Sequence, residues 1–403
     1  IALGLAAEAC GDIAGASNAI EAALRIWDDE PLWHARAARL NGLMGEFDNA
    51  AVHWAKAVEM KPEALEWKVA YGKMLVKNGE SEKAEEILEE VSIKDASRVD
   101  TWVALAEAKK MNGALKEALA CAENALKIEP GRASSHILCG EIALAAGQKQ
   151  EALHFAKEAV ARDPKSPAAV LFNAQVTAKT GSPNEALNLL ERALKEIDSH
   201  ELRVERARLT AELRGQRVAI PLYKELLQQQ PGDCAVLAML AKAQVEAGDL
   251  VGAAVSAQRA LEIDPTDPDL QLLMGKISHN SGQLDQAVSH LSEAVRLAPA
   301  EIENYLELGR AYLDRREQDE GLRVFQRAMR IAGKDYRPYY QAAIALRDMK
   351  DYSGAETMLR KAAELAPNEI TIQRQLGAVM ALNLVMNSQE ASANYESYPT
   401  QRQ

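Results

Sequence analysis

The chain has 403 residues, 48% of them hydrophobic and only 5% aromatic, and a formal charge of −12. That balance lacks the electrostatic footprint of a general nucleic-acid binder, and so few aromatic residues furnish poor base-stacking surfaces. No apolar run approaches the roughly 20 residues needed to span a bilayer, so membrane insertion by this chain is not expected.

The opening stretch IALGLAAEA is short, is followed by acid rather than a cleavage pattern, and reads as helix rather than signal peptide. From it onward one unit recurs. Pro62, Pro130 and Pro164 lie on a 34-residue lattice, and Pro231, Pro265, Pro299 and Pro367 lie on the same lattice shifted back by one. A fixed period of roughly 20–50 residues is the mark of a repeat array. With each proline taken as repeat position 32, position 8 is Gly or Ala from Gly4 to Gly377, with glycine at Gly72, Gly140, Gly275 and Gly309. Position 20 is Ala118, Ala152, Ala186 and Ala287 among others, and position 27 is Ala in most repeats.

These columns predict two antiparallel helices per repeat, A and B. They cross where each carries a residue without bulk, which lets the axes approach closely. Glycine near position 15 (Gly45, Gly79, Gly113 and others) accepts the left-handed conformation that ends helix A. Proline at position 32 stops helix B. The unit between Asp198 and Pro231 has 33 residues, so one of its turns must be a residue short. Ile1 falls at position 5 of a helix A, which suggests an array that begins upstream of this sequence. The helix from about Glu369 to Val385 is apolar on several sides; it either needs cover or packs on the preceding pair as an ordinary repeat helix. The polar stretch 387–403 breaks the lattice and is expected to fray.

The pattern resembles the tetratricopeptide repeat, whose signature is a small residue at position 8, alanine at 20 and 27, and proline at 32. EALACAENALKIEP, from Glu117 to Pro130, and EAVRLAP, from Glu293 to Pro299, are similar to its second helix almost unaltered. The Leu-Gly pairs 3–4, 308–309 and 376–377 match its first helix. Position 4, aromatic in the family, is so only at Trp102, Tyr305 and Tyr339. The resemblance implies an all-α, right-handed superhelical solenoid of about 11 repeats plus a terminal helix, covering residues 1–386, with the A helices lining a concave groove.

Catalytic chemistry has no foothold. Cys10, Cys121, Cys139 and Cys234 form no CxxC pair and read as small hydrophobes, which favours a reducing, cytoplasmic setting. The seven histidines show no metal-ligand spacing, and Glu85, Glu86, Glu89 and Glu90 read as a solvated helix face. No cofactor, metal or catalytic residue is expected.

Function should therefore be written in the groove. On helix A, positions 2, 5, 9 and 12 share a face. Position 5 is apolar through ten repeats, including Leu272, Leu306 and Tyr340. Position 9 opens with Arg39 and Lys73, continues with Glu107 and Glu141, and later gives four consecutive cations, Arg208, Lys242, Lys276 and Arg310. These residues are the candidate partner-binding site, for a protein or peptide segment with acidic and apolar side chains. Glu205, Glu246, Glu307 and Asp314 are the acids placed to pair with the column instead. The Lys-Asn pair of chaperone-tail clamps is missing, and position 6 carries no asparagine ladder. The expectation is a non-catalytic interaction scaffold. The alternatives are a docking arm of a larger enzyme and a receptor for a short peptide.

Overall fold

The computed structural model describes residues 7–331 and 333–396. Gly4 and the last residues of the expected tail, 397–403, lie outside the described residues. The chain forms two compact units, residues 1–206 and 207–403.

The first unit contains α1 (Ile13–Leu24), α2 (Pro31–Leu43), α3 (Phe47–Met60), α4 (Leu65–Lys77), α5 (Ser81–Lys94), α6 (Val99–Met111), α7 (Leu115–Ile128), α8 (Ala133–Ala145), α9 (Lys149–Arg162), α10 (Pro167–Lys179) and α11 (Pro183–Ala193). The division falls within α12 (His200–Arg214). The second unit continues with α13 (Gln216–Gln229), α14 (Cys234–Ala247), α15 (Leu250–Ile263), α16 (Pro268–Asn280), α17 (Leu284–Leu297), α18 (Ile302–Asp314), α19 (Gln318–Ile331), α20 (Arg337–Asp348), α21 (Tyr352–Leu365) and α22 (Ile370–Glu396). No strand occurs among the described residues. Even-numbered helices are the A helices of the sequence lattice and odd-numbered ones the B helices.

The turns from A to B, except the one at Gly215, are closed in the same way. The amide just after the left-handed turn residue reaches back to the carbonyl five residues earlier, as in Glu46 to Asn41 (2.9 Å) and Gln283 to Ser278 (2.9 Å). That bond requires a left-handed residue between them. Gly45 and Gly282 supply it with φ of 80° and 75°. Arg316 (φ 64°) and Lys350 (φ 65°) occupy the same position without being glycine, and their turns close identically, through Glu317 to Tyr312 and Asp351 to Leu346. The 33-residue unit absorbs its deletion locally. α11 is 11 residues long where most B helices have 14, and α12 runs directly into Gly215 and α13.

The small columns do what their spacing predicts. Ala118, Ala152, Ala186 and Ala287 are all fully buried. A Cβ added to Gly72 would lie 2.6 Å from Leu88, at Gly275 2.5 Å from Leu291, and at Gly309 2.3 Å from Phe325, always the residue sixteen places on in the paired helix B. Gly140 faces Phe172 of the next repeat instead, at 2.5 Å. The missing side chain at position 8 is thus the space a large residue of helix B occupies.

Position 4 has a role that its mixed identity hides in the sequence. His34, Trp102, His136, Gln271 and Tyr305 each point back to the carbonyl six residues earlier, at 2.8–3.1 Å. For His136, Gln271 and Tyr305 that carbonyl belongs to Pro130, Pro265 and Pro299. What recurs is a donor that staples the loop before helix A to its first turn. Aromatic, imidazole and amide groups all serve.

Consecutive helices pack on one another within each unit. In addition successive A helices touch one another from α4 to α10, and again from α14 to α20, with no comparable contact between successive B helices. A helices crowded together beside splayed B helices place the A helices on the inner side of the local curvature, as the groove reading requires.

α22 departs from expectation at its end. The helix continues through Glu396, because no Gly or Pro lies between Gly377 and Pro399 to stop it.

Candidate partner-binding faces

On the A-helix face the column at position 5 is deeper than an apolar floor should be. Ala35, Val69 and Leu306 are buried; Leu306 is only 1% exposed, within the cluster of Phe325 and Ala342. Leu272 and Tyr340 remain half-buried and open to the surface. Leu306 is therefore a core residue and offers a partner no area.

The cations of position 9 are largely engaged by acids, one repeat away for Arg39, Lys73 and Lys276 and on the same helix for Arg208 and Arg310. Arg39, with Arg36, holds Glu8. Lys73 meets Asp100 at 3.2 Å. In the second unit Lys276 lies 3.1 Å from Glu303 and 3.4 Å from Glu307, and Arg310 lies 3.2 Å from Glu307. Arg208 meets Glu212 at 3.4 Å. Lys242 is exposed and makes no ion pair or hydrogen bond among the described residues. Of the other acids expected to pair with the column, Asp314 goes instead to His279, at 2.6 Å.

Two clefts open on this face in the first unit. One, of about 280 Å³, is lined by Leu32, Ala35, Arg36, Arg39, Trp54 and Trp67. The other, of about 440 Å³, has Val69, Ala70 and Val99 as its apolar wall and Lys73, Arg98, Arg132, Glu66 and Asp100 as its charges. Burial pushes the Asp100 carboxyl up, but the hydrogen bonds and charges of Lys73 and Arg132 outweigh it and hold the group below the usual range. Further along α6, Glu107 is half-buried, and burial pushes its carboxyl above the usual range against the pull of Lys110 and Lys73.

Several polar clusters lie away from this face, and sequence reasoning missed them. Glu85, Glu89 and Glu90 are counter-charges rather than a merely solvated face. Glu85, Glu89 and Glu117 surround Lys109, whose side chain is 6% exposed, and their hydrogen bonds raise its pKa despite burial. Glu90 grips the buried Lys68 through both oxygens at 2.7 Å. The signal was available as lysines on otherwise small or apolar A helices, facing an acidic B helix. His34 is fully buried, with its Nδ1 3.1 Å from His53 Nδ1 and its Nε2 3.1 Å from the Asp28 carbonyl. Cys121 and Cys139 are free and buried in one cluster, and burial pushes the Cys139 thiol up to about 12. A thiol held protonated in this way is a hydrophobe, not a nucleophile. No group of three or more metal-ligating side chains is arranged for an ion among the described residues, and no helix among them is long and apolar enough to cross a membrane.

Family models described as tetratricopeptide repeat match residues 143–208 and 217–277, 103–167 and 275–336, and 336–369, together more than half of the chain. The chain belongs to the tetratricopeptide-repeat family. Among solved structures this repeat protein is similar to the APC/C hetero-tetramer Cut9–Hcn1, with a TM-score of 0.50 at 15% identity over 91% of this chain and 83% of that one. Yeast Tom70 matches with a TM-score of 0.49 at 13% identity over 95% of each chain. A tetratricopeptide repeat protein from Parabacteroides merdae gives 0.48 at 17% identity, over 62% of this chain and 99% of the other. At such identities the likeness concerns the fold alone. No curated protein matches significantly.

Proposed function

We propose that the chain is a non-catalytic scaffold whose A-helix face holds a segment of a partner protein. The observation that carries this reading is the make-up of the two clefts in the first unit. Both are built chiefly from A-helix positions 2, 5, 6 and 9 and the loops before them, and both include position-9 cations, Arg39 and Lys73. Clefts with an apolar wall and a charged rim suit an anchored side chain flanked by polar contacts. In the second unit an acidic side chain docks at Lys242, where the cation is uncommitted.

The test is site-resolved photo-crosslinking on the intact chain, with the probe at Val69 or Leu272 on the A face and at Glu86 or Arg323 on the outer face. Partners attached only through the A face, then reconstituted in purified form, support the reading. Crosslinks confined to the outer face overturn it. For a partner held by the second unit, Lys242→Ala should weaken binding more than Lys276→Ala or Arg310→Ala, since those two cations already have intramolecular acids. Equal affinity for the Lys242→Ala protein and its parent removes Lys242 from the site.

A further inference from the structure

The charges on α6 are distributed unevenly in a way that specifies a ligand. Near its start, Asp100 alone faces two cations, Lys73 at 3.2 Å and Arg132 at 3.1 Å. Arg132 has a second, longer contact to Glu129 at 3.7 Å, and the neighbouring Arg98 is held by Asp95 at 2.8 Å. The cleft here is lined by three cations, Lys73, Arg98 and Arg132, and two carboxylates, Glu66 and Asp100, an excess of one positive charge on an acidic protein.

Two turns further along the same face stands Glu107. It makes no hydrogen bond or ion pair among the described residues, although it is half-buried. Three lysines, Lys110, Lys73 and Lys77, act on it electrostatically, and the Glu141 carboxylate acts against them. Each lysine is held elsewhere: Lys110 by Glu141 at 2.8 Å, Lys73 by Asp100, and Lys77 over the Phe47 ring at 5.7 Å. A carboxylate drawn partly out of water and given no donor is destabilised until one arrives. An incoming cation or amide would find it uncommitted and in a lower dielectric than bulk water.

We infer that the groove of the first unit selects a partner segment carrying an acidic and a basic side chain about 10 Å apart, the acid seated on Lys73 and Arg132 and the base on Glu107. The spacing is that of Asp100 and Glu107, seven residues apart on one helix at about 1.5 Å each. Val103, half-buried between them, gives the intervening side chain an apolar rest. In a segment of polyproline II form, with three residues per turn at about 3.1 Å each, two charges three residues apart lie on one face at about this distance. The inference rests on the reading that the A face holds a partner segment. It narrows that segment from acidic to zwitterionic, because the carboxylate left unpaired in this groove needs a donor.

The test uses the full chain and labelled peptides, Asp-x-x-Lys and Lys-x-x-Asp with Leu or Val between the charges. Controls move the charges next to each other or replace Lys by norleucine. Fluorescence anisotropy should show tightest binding at the three-residue spacing in one of the two directions, with Lys preferred over norleucine by about tenfold. Glu107→Gln should erase that preference while leaving the peptide's dependence on Asp, and far-ultraviolet dichroism should be unchanged. In the parent protein the preference should begin to fall on acidification while the pH is still above the usual glutamate range, because burial raises the free carboxyl. Binding indifferent to spacing and to Glu107, or tighter for a purely acidic peptide, overturns the zwitterionic site and leaves the groove reading intact. Failure of the A face to crosslink any partner overturns the groove reading itself.

Discussion

Arg316 and Lys350 sit in the left-handed region with exposed side chains that make no hydrogen bond or ion pair among the described residues. A side chain there crowds the backbone and costs about 1 kcal/mol or more relative to glycine. Arg316→Gly should therefore raise stability by about 0.5–1 kcal/mol, because glycine's own entropic cost offsets part of the relief. The midpoint of urea unfolding reports it, and a lower midpoint would mean the left-handed turn is not populated. The histidine pair gives a second residue-scale prediction. His34 donates through Nε2 to the Asp28 carbonyl, which leaves its Nδ1 to accept from His53 Nδ1–H. Burial and then the neighbouring His34 hold His53 below the usual imidazole range, although Glu21 and Asp28 nearby act the other way and Lys56 adds to the lowering. The unfolded chain thus takes up this proton at a higher pH than the folded one. Its contribution to stability is full above the usual imidazole pKa and is lost as pH falls from there through the lower folded value. His53→Gln should flatten that acid-side loss; an unchanged slope in denaturation at successive pH values would refute the linkage.

At the scale of the element, position 8 offers a paired experiment. A Cβ at Gly309 would meet Phe325 at 2.3 Å, whereas at Gly377 it would meet nothing within 4 Å. The chemistry of the two sites is the same, but only Gly309 has a helix B packed over it. Gly309→Ala should cost about 1–3 kcal/mol by overpacking. Gly377→Ala should instead gain roughly 0.5–1 kcal/mol, the ordinary helix preference for alanine. Ala152→Leu, at a fully buried crossing, should behave like the first, at about 1–3 kcal/mol. Thermal unfolding of the three proteins decides it, and a stabilised Ala152→Leu protein would show that the small columns are not crossings. The elements were legible beforehand because each signal is local. A proline, a turn glycine and two alanines recur wherever a helix pair recurs, and even the 33-residue unit declared its irregularity by length. The staple at position 4 escaped notice because the recurring property is a donor at one place, and four kinds of side chain (His, Trp, Gln and Tyr) provide it from His34 to Tyr305.

For the molecule as a whole, sequence determined that this is a tetratricopeptide array and where its helix pairs fall, though not where the last helix ends. It could do so because every repeat buries its apolar surface against its neighbours, so one period encodes the packing of all. The tertiary structure decided how the charges are spent. Lys276, Arg310 and Lys73 read as an open basic column along the chain, yet each finds an acid 27 to 31 residues on or a turn away, on a face set by packing. Leu306 reads as groove and lies in the core beneath its neighbours. Whether a charged side chain is paired depends on reach between different helices to within about an ångström, since an ion pair at 3 Å and none at 6 Å have the same sequence. That is why Glu107 and Lys242, two members of one column among many, could be singled out only once the helices were stacked.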